Sequence, residues 1–298
     1  MKIITYHYIR SFDKKYPYFN FLDKKLFNKQ LKFFEKKYGI IKDENEIFKK
    51  NNKVLLTFDD GIKDHMYAAK QLKKINRIGI FFPTTHNLVN NKFLNVHKTH
   101  LILGKIKPKI VMEDSLEFLK KKKINFNIND INKKFKNTYK NFKDNLDKDN
   151  FKRLINYGKN VKYRNQLLNY LIKKFSIKIK PKDFYLTKKE IKKISKMGMI
   201  IGCHSHSHLV LSNLNYQQQL SEIKKSTQIL KKITNNDMNF FCYPYGGKST
   251  YNNSTKKILK KIGYNYSFIV DQKNSNVLNI NFKPYELSRI DCNQFYEI

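Results

Sequence analysis

The chain of 298 residues has only three cysteines and no long uninterrupted apolar segment. Cys203, Cys242 and Cys292 are odd in number and far apart, which argues against a disulfide framework and fits a reducing compartment. Because no run of about 18 apolar residues occurs, no transmembrane helix is predicted. The N-terminal segment "MKIITYHYIR" lacks the apolar stretch and the cleavage site of a signal peptide, so a cytoplasmic location is expected.

Arginine and alanine are also scarce. Only five of the 61 basic residues are arginine, and alanine occurs only at positions 68 and 69, whereas Lys, Asn and Ile abound, as in proteins from AT-rich genomes. The net charge of +37 alone suggests a nucleic-acid or anionic-membrane partner. Nucleic-acid sites favour arginine, however, because its guanidinium group binds phosphates and base edges. The scarcity of arginine therefore favours the interpretation that the lysines lie on solvated surface faces and bind no polyanion. No specific nucleic acid is expected, and peripheral contact with an anionic membrane stays open.

Short apolar runs alternate with amphipathic helical patterns along much of the chain. This alternation predicts an α/β fold, in which helices cover a parallel sheet that is either a barrel or doubly wound. The predicted strands are 3–9, 53–58, 78–84, 198–203, 239–244 and 266–270, and the predicted helices are 27–38, 64–75, 217–233 and 253–264.

Residues from about 95 to 185 depart from this alternation. The segment is rich in Lys and Asn, has few strand-like runs, and contains candidate helices near 114–123, 150–157 and 164–174. No Gly/Pro-rich linker isolates it. We therefore expect a helical insertion within a single domain that spans residues 1–298.

Three motifs with potentially catalytic or metal-binding side chains follow predicted strands: "DDG" after "KVLLTF", "HSHSH" after "GMIIGC", and "YPYGG" after "NFFC". In parallel α/β folds the carboxyl ends of the strands converge on the active site. Asp59 and Asp60 are adjacent strand residues that point in opposite directions, so they need not share one role. By itself, "DDGIKDH" is more typical of a turn that caps the helix from residue 64.

The run "IGCHSHSHL" holds three histidines. As a strand it would place His204, His206 and His208 on one face, and as a helical turn it would pair only His204 with His208. Two imidazoles and one carboxylate can hold Zn²⁺ or a similar metal and leave a coordination position for water. A second carboxylate is then available as a general base.

In this order, "TFDDG", H-S-x-x-H and "YPYGG" resemble the motifs of polysaccharide deacetylases of the NodB-homology type, carbohydrate esterase family 4. The resemblance covers about residues 1–95 and 185–298. It implies a distorted (β/α)7-type barrel and metal-dependent removal of acetyl groups from N-acetylated sugars.

Position by position, the resemblance makes Asp59 the general base. It makes Asp60, His204 and His208 the ligands of one divalent metal, Zn²⁺ first, with Co, Ni, Mn or Fe as alternatives. His206 is left unassigned, as a spacer or as a group that supports the ligands without binding the metal. Pro244 and Tyr245 match the motif whose Tyr backbone N–H helps to hold the oxyanion.

The sequence departs from the family pattern at two places. Cys242 stands where R-x-P-Y has its arginine, which normally orients the base, and Arg289 in "LSRIDCNQF" is the candidate replacement. No histidine follows His208, so the usual C-terminal L-x-x-H, which supplies the general acid, is absent. In a subset of the family with rearranged strand order an N-terminal Y-H motif takes this role, which His7 in "TYHYIR" matches. A surface arginine and a packed strand histidine are the competing interpretations.

The expected function is removal of acetyl groups from an N-acetylated sugar or a precursor of a surface polysaccharide, in the cytoplasm or at the inner face of the membrane. The alternatives are a deacylase or amidase for a non-sugar amide such as a formamide, and a basic polyanion-binding protein with a degenerate site.

Overall fold

The computed structural model, which describes residues 1–47, 49, 51–124, 146–157, 161–271 and 283–296, contains a nearly closed barrel of parallel strands. Among these residues the barrel strands are β1 (Lys2–Tyr6), β4 (Val54–Asp60), β5 (Gly79–Pro83), β6 (Ile200–Ile201), β7 (Phe240–Cys242), β8 (Tyr266–Val270) and β9 (Leu287–Asp291). A separate pair of short strands consists of β2 (Ile9–Arg10) and β3 (Leu22–Asp23).

The barrel strands lie in the order β6-β5-β4-β1-β9-β8-β7, and every described pairing is parallel. A parallel bridge between Cys203 and Phe241 joins the two ends of this order. In it the Cys203 N–H donates to Phe240 O (2.9 Å) and the Cys242 N–H donates to Cys203 O (2.8 Å). The strands thus follow chain order around the barrel, which confirms the predicted distorted (β/α)7 architecture.

Burial explains why these segments form strands. All seven residues of β4 are buried, including both aspartates, because its two faces are covered by the barrel interior and by helices. The first predicted strand, 3–9, is interrupted after Tyr6. There His7 O accepts a hydrogen bond from His65 Nε2 (3.0 Å), and the Ile9 N–H donates to Asp64 Oδ2 (3.1 Å). These contacts draw the chain out of the sheet.

Helices connect and cover the strands. Capping boxes begin three of them, with Thr187 and Glu190, Asn215 and Gln218, or Asn252 and Thr255 as the reciprocal pairs. In the described ranges the helices are α1 (Lys24–Tyr38), α2 (His65–Lys74), α3 (His86–Asn90), α4 (Asn95–Lys105), α5 (Pro108–Lys121), α6 (Leu146–Tyr157), α7 (Val161–Lys174), α8 (Pro181–Phe184), α9 (Lys188–Lys196), α10 (Tyr216–Thr234) and α11 (Asn253–Ile262).

The chain divides into two compact units. The first contains Met1–Ser11, Phe21–Lys92 and Lys180–Ile298, and therefore the whole barrel. The second contains Phe12–Asn20 and Phe93–Ile179, with α4 to α7. The helices expected near 114–123, 150–157 and 164–174 are present as α5, α6 and α7. That residues 1–298 form a single folding domain stays a prediction. No helix in the described ranges has the length and apolar character needed to cross a membrane.

The closing bridge of the barrel predicts that Gly202 cannot be enlarged. A Cβ at this position would lie 2.3 Å from Phe82 Cε1 and 2.8 Å from Phe240 O. We expect Gly202→Ala to lower the free energy of unfolding by about 1–3 kcal/mol, measured by urea denaturation. Gly247→Ala is the control, because its Cβ would meet only Thr250 Cγ2 at 3.7 Å. Equal stability of the two variants would contradict a tight closure.

Candidate active site

The site lies at the carboxyl end of the barrel, where β4 ends in two aspartates. Asp60 has a φ of +79° and Gly61 a φ of +68°, so the chain turns sharply. A Cβ at Gly61 would lie 2.6 Å from Pro83 Cβ, so only glycine fits this turn. As expected from strand alternation, Asp59 and Asp60 contact different groups.

Asp59 forms a bidentate ion pair with Arg289 of β9. Arg289 Nη1 donates to Asp59 Oδ1 (2.8 Å) and Nη2 donates to Asp59 Oδ2 (2.7 Å). Arg289 is 1% exposed and Asp59 is 2% exposed. Arg289 is therefore not a surface residue, and it lies against Asp59. That it orients a catalytic base stays a prediction.

Further hydrogen bonds from neighbouring groups fix the positions of Arg289 and Asp59. Arg289 Nη1 also donates to Thr57 Oγ1 (3.1 Å), and its Nε donates to Ile269 O (3.4 Å). Thr5 Oγ1 donates to Asp59 Oδ2 (3.4 Å) from the neighbouring strand. Thr5 and Thr57 are partners in the register of β1 and β4, and Thr57 shares a strand face with Asp59.

The electrostatics of the pair keep Asp59 ionised. Burial acts to raise the pKa of Asp59, but the charge and hydrogen bonds of Arg289 outweigh it and hold that pKa well below its usual range. Burial acts to lower the pKa of Arg289, and the Asp59 charge more than reverses this effect. Both groups therefore stay charged inside the barrel at neutral pH.

Asp60 lies between the two predicted histidine ligands. Its Oδ1 is 3.5 Å from His204 Nε2 and 3.4 Å from His208 Nε2. All three residues are buried, and one potential ligand atom from each lies within 4.8 Å of the others. Ligands about 2.0–2.1 Å from a tetrahedral Zn²⁺ lie about 3.3–3.4 Å apart, so this donor set fits such an ion.

The tautomer of His204 is fixed by the backbone. His204 Nδ1 lies 2.8 Å from Cys242 O. Because a carbonyl oxygen can only accept a hydrogen bond, Nδ1 carries the proton, and the lone pair of Nε2 points toward Asp60. Burial lowers the pKa of His204, which favours the neutral imidazole that a metal requires.

The segment that carries the three histidines is neither a strand nor a helix beyond β6. Ser205 and His208 have left-handed backbones, with φ of +60° and +54°. The two Nε2 atoms therefore meet through a tight loop rather than through helical i, i+4 spacing. His206 is buried and forms a 2.8 Å hydrogen bond between its Nδ1 and Thr85 Oγ1. In the described ranges, His206 belongs to neither group of potential metal ligands.

His7, Pro244 and Tyr245 complete the predicted set. His7 Nε2 lies 3.9 Å from Asp59 Oδ2, and its side chain is 39% exposed, so solvent reaches it. Pro244 is buried and Tyr245 is half-buried. Tyr245 has a φ of +64°, and its ring packs edge-on against His208 with 4.7 Å between ring centroids.

Cys242, which stands where the family motif has its arginine, contacts both members of the Asp59–Arg289 pair. Its Sγ donates to Asp59 Oδ2 (3.5 Å) and accepts from Arg289 Nη2 (3.1 Å). Asp59, His204 and Cys242 also form a group of potential ligand atoms within 4.8 Å. Burial raises the pKa of the Cys242 thiol well above its usual range, so the thiol stays protonated. The position of Cys242 in the third motif was the only sequence signal for this contact.

A protein-family model described as "Polysaccharide deacetylase" matches residues 48–267. Over 80 residues the chain is 32% identical to a Bacillus subtilis (strain 168) protein named "Putative polysaccharide deacetylase YxkH". That match covers 27% of this chain and 28% of the relative, so the chain spans less than a third of the curated relative that it matches.

Three solved structures share the fold over nearly the whole chain. The Streptococcus pyogenes deacetylase PplD in complex with acetate has a TM-score of 0.58 and 17% identity, and the match covers 98% of this chain and 91% of that one. A de-N-acetylase from Aggregatibacter actinomycetemcomitans has a TM-score of 0.57 and 12% identity, with 97% and 93% covered. IcaB from Ammonifex degensii has a TM-score of 0.55 and 14% identity, with 97% and 90% covered.

The ion pair predicts how Arg289→Met changes the pH dependence of stability. In the wild type the lowered pKa of Asp59 contributes stability that is present above its ordinary value of 3.8 and is lost as the pH falls below it. Without Arg289, burial raises the Asp59 pKa, so the free energy of unfolding should fall as the pH rises from about 4 to 7. At pH 7 we expect a loss of about 3–5 kcal/mol, measured by urea denaturation.

The double variant Asp59→Asn with Arg289→Met is the control, because it has no carboxylate to titrate at this position. Its stability should vary less with pH than that of the single variant. If Arg289→Met followed the wild-type pH dependence, the ion pair would not govern the ionisation of Asp59.

Proposed function

Because the chain belongs to the polysaccharide deacetylase family, we propose that it hydrolyses the acetamide of an N-acetylated sugar in a polysaccharide or its precursor. The observation that carries the proposal is the arrangement of Asp60 between His204 and His208, with the ionised Asp59 next to it in sequence. One carboxylate is thus available to hold a metal and the other to move a proton.

The proposed metal ligands are Asp60, His204 and His208, and their two imidazoles and one carboxylate suit a divalent ion, with Zn²⁺ as the first choice. When bound, such an ion supplies a Lewis acid that polarises the acetyl carbonyl and acidifies water. Asp59 accepts the proton of the attacking water through its Oδ2, and Arg289 keeps the carboxylate oriented and ionised. Arg289 is a positioning residue in this scheme.

The amine leaves with a proton from His7. Water adds its oxygen to the carbonyl carbon, the C–N bond breaks, and His7 protonates the nitrogen, so the products are acetate and a free amino sugar. The 3.9 Å between His7 Nε2 and Asp59 Oδ2 and the exposure of His7 support this role, since both groups would face the same substrate. The Tyr245 N–H, in the turn after Pro244, is the proposed donor to the developing oxyanion.

The two aspartates predict a separation of metal binding from catalysis. Asp60→Ala should lose both stoichiometric Zn²⁺ and acetate release, because it removes the carboxylate ligand. Asp59→Asn should keep the metal and lose the proton acceptor, so that activity falls by about 10²–10⁴-fold. Metal content is measured by elemental analysis, and acetate release by a coupled assay on N-acetylhexosamine oligomers.

Asp237→Ala is the matched control, because the Asp237 side chain is 83% exposed and pairs only with Lys231 among the described ion pairs. It should keep both metal and activity. Wild-type Zn²⁺ affinity in Asp60→Ala would refute the ligand assignment and with it the proposed reaction.

The role of His7 predicts a dependence on the leaving group. His7→Gln should lower kcat for an N-acetylated sugar by about 10²-fold or more, because the alkyl amine cannot leave unprotonated. The loss should be much smaller for an aryl acetamide, whose aniline is a weakly basic leaving group. The kcat values of wild type and variant are compared on both substrates, with metal content as the control. Equal losses on both substrates would exclude His7 as the proton donor.

A further inference from the structure

The loop between the proposed histidine ligands needs external support. Ser205 and His208 both adopt left-handed backbones, which cost non-glycine residues about 1 kcal/mol or more each. Such a loop persists only when surrounding contacts hold it. The contacts that do so therefore also determine where the two Nε2 atoms lie.

One side of the loop is held by its own serine and by α10. The His208 N–H donates to Ser205 Oγ (3.2 Å), and Ser226 Oγ donates to Ser205 O (2.9 Å). The Ser207 N–H donates to Glu222 Oε2 (2.7 Å). These bonds fix the backbone on both sides of His206. The His206 side chain is held by a different part of the structure.

The other side is held by the turn that follows β5. Thr85 Oγ1 and His206 Nδ1 form a 2.8 Å hydrogen bond, and the His86 N–H donates to His206 O (2.9 Å). Thr85 is 0% and His206 5% exposed, so water competes little with this bond. A neutral hydrogen bond that is buried in this way is directional and costly to break.

The residue before Thr85 contacts the other half of the site. Thr84 Oγ1 donates to Asp60 O (3.3 Å), and the preceding Pro83 is the register partner of Asp60. Two consecutive threonines therefore connect the aspartate turn with the histidine loop. Displacement of either threonine would change the distance between Asp60 and the two histidines.

We propose that Thr85 and His206 are positioning residues that hold His204 and His208 at metal-binding distance from Asp60. The proposal rests on the proposed function, since it assumes that these three residues bind the metal. Of the two alternatives that the sequence left for His206, a spacer or a supporting group, the proposal selects the second: His206 joins the ligand loop to the turn that follows β5. His206 itself does not bind the metal.

The test compares Thr85→Val with Thr85→Ser in the full-length protein. Valine keeps the shape of threonine and lacks the hydroxyl, so Zn²⁺ affinity should fall about 10–100-fold, as is typical when a group that orients metal ligands is lost. Serine keeps the hydroxyl and should restore affinity close to that of the wild type. Affinity is measured by competition of Zn²⁺ with a chromogenic chelator.

Thr99→Val is the matched control, since it also removes a buried threonine hydroxyl, one that donates to Asn95 O within α4. It should leave Zn²⁺ affinity unchanged. The visible absorption spectrum of the Co²⁺-loaded protein is a second readout, because ligand geometry moves it and a general loss of stability does not. The spectrum should change in Thr85→Val and not in Thr99→Val.

If Thr85→Val does not fold, His206→Phe and His206→Asn test the same bond from its other end. Asparagine can place a polar group near the position of Nδ1 and should bind Zn²⁺ more tightly than phenylalanine does. Wild-type affinity and an unchanged Co²⁺ spectrum in Thr85→Val or His206→Phe would overturn the proposal, as would an equal loss in Thr99→Val.

The Asp60→Ala variant distinguishes failure of the positioning role from failure of the proposed function. If it loses Zn²⁺ while Thr85→Val and His206→Phe keep it, the proposed function stands and the positioning role is wrong. If it binds Zn²⁺ as the wild type does, the metal site itself is wrong, and so is the proposed function.

Discussion

The buried ion pair between Asp59 and Arg289 is the interaction on which the barrel mouth depends. It joins β4 to β9, which are separated in the sheet only by β1. Phe82 and Phe268 flank the guanidinium, with their ring centroids 5.9 and 6.0 Å from Cζ. Such a pair adds little net stability, because desolvation offsets the attraction, whereas loss of one partner is costly. Its presence is therefore better explained by the proposed role of Asp59, which requires an oriented carboxylate, than by stability.

This ion pair also separates the duties of two adjacent residues. Asp59 is occupied by Arg289, so Asp60 is the carboxylate that the histidines share. The left-handed backbone at Asp60 and the glycine that follows turn the second carboxylate out of the strand pattern. In a regular strand the two side chains would also point in opposite directions, but the backbone would continue straight beyond the carboxyl end of the barrel. The sharp turn brings Asp60 to the loop of His204 and His208.

The apolar runs of β4, β5 and β8 predicted a parallel sheet covered by helices, either barrel or doubly wound, and the barrel was what the resemblance to the deacetylase family implied. The expectation that Arg289 lies beside Asp59 came from the resemblance, which implies an arginine next to the base, and from the position of this rare arginine after a late strand-like run. The sequence did not predict the conformation of the histidine loop, because left-handed residues such as Ser205 are imposed by tertiary contacts rather than by local preference. For the same reason Thr5 and Thr85 gave no signal: their hydrogen bonds connect distant segments, and threonine is common in strands and turns.

The strength of the ion pair limits what Asp59 can do. A carboxylate whose pKa lies well below its usual range is ionised at any physiological pH, but it is a weak base with little drive to take a proton. Asp59 therefore suits a reaction in which the water is already acidified when its proton is transferred. Asp60, His204 and His208 could hold an ion with that effect beside it. The lowered pKa of Asp59 fits the proposed metal site beside it, which is a physical reason to treat the two aspartates as one site.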